Sequence, residues 1–157
     1  MTSSKPVAVI CGASATGLGV GRDLGRFGVP VVFADFESFR PGFVSRFASR
    51  DTPGIVASSE EDLIDQLTDF AESQAETPVL FQTTDQLVLA VAKHRHRLEG
   101  KFHIADSTRN GIADVVADKA SFYDLCVKHG VTAPRTAFPK TSEEALSTVQ
   151  GLSLIHI

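Results

Sequence analysis

The stretch VAVICGASATGLGVGRDLGRFGVPVVFAD, Val7 to Asp35, constrains the fold more than any other part of the chain. It reads as a short apolar strand, a glycine-rich turn, a helical pattern, a second apolar strand and an acid. Two strands joined by one helix run parallel through a right-handed crossover, so this stretch commits the chain to an α/β sheet. Further apolar runs at Val79–Phe81 and Phe102–Ala105 join those at Val7–Cys11 and Val31–Ala34. All are short and rich in Val, Ile and Phe, as strands buried on both faces are. Helical periods over Gly17–Phe27, Glu60–Glu72 and Leu87–Leu98 separate them. In the first of these, Leu18, Val20 and Leu24 are expected on one side. The second follows SSEED, where Ser58 or Ser59 can cap and the acids favour the positive end of the helix.

Strands alternating with helices in this way predict a Rossmann-like, doubly wound parallel sheet. The segment Phe36–Thr52, rich in Phe and Arg, has no clear period and is expected as a long loop crossing one end of the sheet. With 157 residues, the chain can bury one core and fits one domain, or one domain plus a fragment. Its formal net charge of −4 points to neither nucleic acid nor an anionic membrane as a partner. Cys11 and Cys126 lie far apart with no metal-ligand spacing, and buried reduced thiols suit a cytoplasmic protein. No apolar run approaches the ~20 residues of a membrane span. The opening MTSSKP lacks the apolar core of a signal peptide.

The glycine-rich turn fails as a dinucleotide site. That fingerprint needs G-x-G-x-x-G directly after the strand, so that bare backbone can approach a pyrophosphate. Ala13 stands where the second glycine should follow Gly12; starting from Gly17 puts Arg22 in the third place, and starting from Gly19 puts Leu24 there. A phosphate loop fails too, because Leu18 and Gly19 replace the Lys and Ser or Thr that would hold phosphate and magnesium. Asp35 sits where a ribose-binding acid would, which keeps a nicotinamide reading open. Close packing of a helix on the sheet accounts for Gly17, Gly19 and Gly21, while the amides around Ala15–Leu18 are expected to face an anion.

A second stretch, PVLFQTTDQLVLAVAKHRHRL, ends a strand at Gln82 and places Thr83, Thr84 and Asp85 on the next strand-to-helix turn. Such turns form the ligand-bearing edge of an open parallel sheet, although helix capping by Thr84 or Asp85 would account for them equally. The run from Lys93 to Arg97 falls at a helix C-terminus, where the dipole favours cations, and is expected to be a solvated helix end. His94 and His96, two apart, face different ways and are poor joint metal ligands.

A third stretch, ADKASFYDLCVKHGVTAPRTAF from Ala117 to Phe138, is a helix with Phe122, Leu125 and Cys126 at helical spacing, closed by Gly130 and leading to a further strand. Its Asp118-Lys119 pair and the Gly130-Val131 to Pro134-Arg135-Thr136 turn resemble the opening of the ATP-grasp domain of ATP-grasp ligases. The preceding part resembles their pre-ATP-grasp domain, in particular that of carboxylate–amine ligases similar to D-aspartate ligase and the carbamoyl-phosphate synthase large chain. Thr16–Val31 matches the pattern T-G-L-G-x-x-R-x-L-G-R-x-G-V-P-V, and Pro78–Asp85 matches P-V-L-F-x-T-x-D. The resemblance spans Val7 to Thr136.

What it implies is a Rossmann-like first domain over residues 1–115 that helps close the substrate side, and the start of an ATP-grasp domain over 116–151. The implied chemistry is activation of a carboxylate by ATP and magnesium to an acyl phosphate, followed by attack of an amine. Lys119 matches the residue that reaches the ATP phosphates. Thr16, Gly17, Leu18, Thr84 and Asp85 are the expected contacts to an amino-acid-like carboxylate substrate, and a homodimer is one assembly open to such an enzyme. Magnesium ligands and catalytic groups are expected in sequence beyond these residues, so the fragment alone is expected to be inactive. The closing LSLIHI, Leu152 to Ile157, interrupts a polar helical pattern and can be back-translated to a sequence similar to a transposon end used in library preparation, so it is expected to be a non-native tail. A nicotinamide-dependent oxidoreductase and a non-catalytic binding module remain alternatives to the ligase.

Overall fold

A computed structural model describes residues 5–109 and 111–149, so the expected non-native tail lies outside the described residues. The apolar runs form β1 (Ala8–Cys11), β2 (Val31–Asp35), β3 (Ile55–Val56), β4 (Val79–Gln82) and β5 (His103–Ile104). They make one all-parallel sheet in the order β3-β2-β1-β4-β5. The fold is therefore the α/β, Rossmann-like doubly wound sheet that the strand–helix alternation predicts. β3 has no counterpart in the sequence reading: it is two residues long, of which only Ile55 is buried.

The connections change from one face of the sheet to the other once, where the chain turns back from β3 to β4, as right-handed crossovers require. Helix α1 (Ala15–Arg26) joins β1 to β2 and packs Val20 and Leu24 against Ile10 and Phe33. Leu18, expected beside them, turns away, because 18 and 20 differ by about 200° on a helical wheel. Helices α2 (Glu60–Glu72) and α3 (Asp85–Lys93) cover the opposite face, where Leu63, Ile64, Leu67, Leu87 and Val91 meet Val9, Cys11, Val32 and Leu80. Each fully buried Leu or Ile in this layer contributes on the order of 1.5–3 kcal/mol relative to exposure.

Two of the three glycines expected to bring α1 close to the sheet do so. A Cβ on Gly17 would lie 1.6 Å from the Gly12 carbonyl oxygen, and one on Gly21 would lie 2.4 Å from the Phe33 ring. Gly19 faces solvent with no atom within 4 Å, so packing does not explain it. The segment between β2 and β3 departs from expectation as well. It covers a face of the sheet: Phe43 and Ala48 pack on the Ile10–Phe33 cluster, and the Ser49 amide donates to the Val31 carbonyl at 2.8 Å. No helix links β2 to β3, so Phe43 supplies the apolar cover that a helix would.

The helical period over 87–98 is divided between α3 and α4 (Arg95–Leu98), with the break at His94. His94 is buried and His96 exposed. The basic run lies at a helix end with Lys93 and His96 exposed, as expected, and it also forms ion pairs: Lys93 pairs with Glu60 at 3.3 Å, and Arg97 with Glu61 at 3.1 Å and Asp65 at 2.5 Å. Lys101 pairs with Glu72 in the same way. These cations are fastened to the acidic face of α2.

The chain divides into two compact units, the first ending at Ala113 and the second starting at Asp114. α5 (Ile112–Ala117) spans that division and is followed by α6 (Lys119–Lys128) and α7 (Ser142–Val149). Asp118 caps α6 by accepting the Ser121 amide at 2.8 Å, and hydrogen bonds from Ser121 hold its carboxyl below the usual range. Gly130 closes the helix at φ +65°, while the Val131 amide donates to the Cys126 carbonyl at 2.9 Å. Of the expected apolar stripe only Cys126 is buried; Phe122 and Leu125 are 45% and 37% exposed. Residues 131–139 form no strand, so the expected further strand is not present among the described residues.

Candidate functional site

The strand order reverses between β1 and β4. β2 and β3 lie to one side of β1, and β4 and β5 to the other, so the turns that follow β1 and β4 diverge. Cys11 and Gln82 are register partners, which sets the two turns side by side at the carboxyl edge of the sheet. Thr83 holds them together: its amide donates to the Cys11 carbonyl at 2.9 Å, and its hydroxyl donates to the same carbonyl at 3.0 Å with the Gly12 carbonyl at 3.2 Å. Gly12 adopts φ +104°, and a Cβ there would lie 2.3 Å from the Thr83 hydroxyl. Both the backbone conformation and the space demand glycine.

From this turn α1 starts without a side-chain cap. Ser14 is the N-cap residue but makes no capping hydrogen bond, and the Leu18 amide is the first to find an acceptor, the Ser14 carbonyl at 2.8 Å. Among the described residues, the amides of Ala15, Thr16 and Gly17 have no partner, and they carry the positive end of the helix dipole. The neighbouring helices differ. Ser59 accepts the Asp62 amide at 3.1 Å, and the Asp62 carboxylate accepts the Ser58 amide at 2.7 Å. That amide, then Gln66 and the Ser58 hydroxyl, hold the Asp62 carboxyl below its ordinary range. Thr84 caps α3 by accepting the Leu87 amide at 3.4 Å.

The structure thus separates the candidates. Thr16 and Gly17 lie in the uncapped first turn of α1, and Thr84 is a cap. Asp85 is exposed in the first turn of α3 with no hydrogen bond or ion pair among the described residues. Leu18 lines a groove on the outer side of α1. Lys119 is the exposed first residue of α6 in the second unit.

Asp35 stands where a ribose-binding acid would, but its carboxylate is engaged within the chain. One carboxylate oxygen accepts the Ala13 amide at 2.7 Å, the other accepts the Glu37 amide at 3.2 Å, and the Arg40 guanidinium lies 3.8 Å away. Arg40 in turn binds Glu37 at 2.8 Å. Asp35 is buried, and its charge adds to burial in pushing the Cys11 thiol up to about 12. Nothing in the sequence pattern marks Arg40 or Glu37, which follow β2 in a segment without a period. The Gln82 side-chain amide nitrogen, at the end of β4, is buried with no hydrogen-bond partner among the described residues.

Among the described residues no group of three or more His, Cys, Asp or Glu could hold a metal ion, so no magnesium ligand is assigned to them. No described helix is long and apolar enough to cross a membrane. Comparison with protein-family models and with curated proteins finds no match to this chain.

Proposed function

We propose that this chain is the substrate-side, N-terminal part of an ATP-dependent carboxylate–amine ligase of the ATP-grasp kind. The observation that carries the reading is the pairing at the switch point of three unpartnered amides in α1 with the unpartnered carboxylate of Asp85 on the adjoining turn. A zwitterionic, amino-acid-like substrate matches that pair: its carboxylate meets the amides around Thr16 and Gly17, and its ammonium meets Asp85. The orphaned Gln82 amide beside Cys11 supplies a further polar group at this end of the sheet. In the reaction a substrate carboxylate oxygen attacks the terminal phosphorus of ATP, forming an acyl phosphate and releasing ADP. The amine then attacks the acyl carbon and inorganic phosphate leaves. Lys119 is assigned to the ATP phosphates on its motif position alone.

The burial of Asp35 weighs against a nicotinamide dehydrogenase, because its oxygens already accept two backbone amides where a ribose would need them. The wide exposure of Phe122, Leu125, Val131 and Phe138 supports reading the second unit as the opening of a larger domain. Calorimetry tests the assignment. The 157-residue chain should show no micromolar binding of magnesium-ATP, and a parent polypeptide carrying it should release ADP only when both carboxylate and amine are supplied. Micromolar ATP binding by the chain, or pyridine-nucleotide reduction by the parent, overturns the reading.

A further inference from the structure

We propose that the groove between the outer side of α1 and the segment following β2 binds a small, multiply phosphorylated ligand. The groove encloses about 510 Å³ and is lined by Leu18, Arg22, Arg26, Val44, Arg46 and Phe47. That volume suits a small-molecule ligand. Leu18, Arg22 and Arg26 follow one another at four-residue spacing along α1, so two guanidinium groups project from successive turns of the same side. Like charges at that spacing destabilise a helix. Arg46 faces them from the loop, its guanidinium 4.7 Å from the centre of the Phe47 ring, which holds the charged plane in place.

No acid among the described residues lines the groove. Among the described residues Arg22 has no ionic partner, and Arg26 has only an exposed contact to Asp23 at 3.3 Å. The cations that face α2, and Arg109 after β5, differ. Lys93, Arg97, Lys101 and Arg109 are all neutralised by carboxylates. Two guanidinium groups without a carboxylate partner among the described residues, those of Arg22 and Arg46, beside the exposed Arg26–Asp23 pair favour an anion in this groove. A phosphate offers three oxygens and can occupy two guanidinium forks at once, whereas one carboxylate fills a single fork. Val44, 87% exposed, and Phe47 provide apolar surface for the organic part of such a ligand. The groove is separate from the switch-point crevice, so this ligand is additional to the proposed ligase substrates.

Titration calorimetry of the full chain with inorganic pyrophosphate tests it, with citrate as the carboxylate control. One saturable site is expected, with a dissociation constant below about 1 mM and weakened by added salt. Arg22→Gln and Arg46→Gln should each weaken it at least about tenfold, while Arg97→Gln, at a neutralised cation, should leave it unchanged. Circular dichroism establishes that each variant is folded. Absence of saturable binding, equal affinity for citrate, or affinity unchanged in both groove variants overturns the proposal. None of these outcomes bears on Asp85 or on ATP, so the ligase reading is judged separately.

Discussion

The Asp35 carboxylate and the Ala13 amide meet at 2.7 Å at the carboxyl end of the sheet, joining the turn after β1 to the end of β2. Removing the acceptor leaves a buried N–H without a partner and takes away one of the two carboxylates beside Arg40, which keeps Glu37. Asp35→Ala should therefore lower stability by about 2–3 kcal/mol in urea denaturation. Asp35→Asn keeps one acceptor oxygen and should lose less. A loss below about 0.5 kcal/mol for the alanine variant would show that water replaces the contact at no cost.

Gly17 and Gly19 occupy the same helix in opposite surroundings. Gly17→Ala places a methyl group 1.6 Å from the Gly12 carbonyl, so α1 must move off the sheet. It should cost upwards of about 3 kcal/mol, as severe overpacking does. Gly19→Ala meets nothing within 4 Å and should stabilise by about 0.4–1 kcal/mol, because it restricts only the unfolded chain. Thermal melts of the two variants should move in opposite directions.

Cys11 gives a dependence on alkaline pH. Its thiol ionises at about 12 in the fold, pushed up by burial first and by the Asp35 carboxylate second, against an ordinary value of 9.0. Below pH 9 both folded and unfolded chains keep the proton, and the contribution to stability is complete. Between 9 and 12 only the unfolded chain loses it, so stability falls as pH rises, by up to about 1.4 kcal/mol per pH unit. Urea midpoints at pH 8, 9 and 10 should decline less steeply for Cys11→Ala than for the parent sequence. Parallel declines would mean that the thiol ionises alike in both states.

Asp85 and Lys119 are separable in a parent ligase. Asp85→Asn should raise the KM for the amino-acid-like substrate by the equivalent of about 1.5–3 kcal/mol and leave the KM for ATP unchanged. Lys119→Ala should do the reverse. If Asp85→Asn alters neither constant, its carboxylate serves only the dipole of α3.

The sheet was legible because β1, β2 and β4 are runs of only four or five residues rich in Val, Ile and Phe with glycine or proline close by, and this shortness and composition, not period, separate them from helices. β3 escaped because two residues carry no period. The break at His94 escaped because the apolar spacing continues across it while the backbone does not. At the candidate site, the turns after β1 and β4 were readable from their place after strands. The partner of Asp35 was not, since a contact across 22 residues is a product of register. The arginine groove had a visible half, Leu18, Arg22 and Arg26 at helical spacing. Its other half, Arg46, lies in a segment whose course no local pattern fixes.

The hydroxyl of Thr83 reaches a carbonyl 72 residues earlier in the chain, and this separation bears on the order of assembly. β1, α1 and β2 lie within 28 residues of one another and can close their pairing at small entropic cost. β4 must wait for the intervening chain to be gathered in, and long-range parallel pairing is slow. The expected sequence is an early β1-α1-β2 unit followed by docking of β4. The switch-point crevice would then be the last surface to exist, and capture of a substrate there would report completed folding, a relation that stopped-flow refolding with and without the substrate can measure.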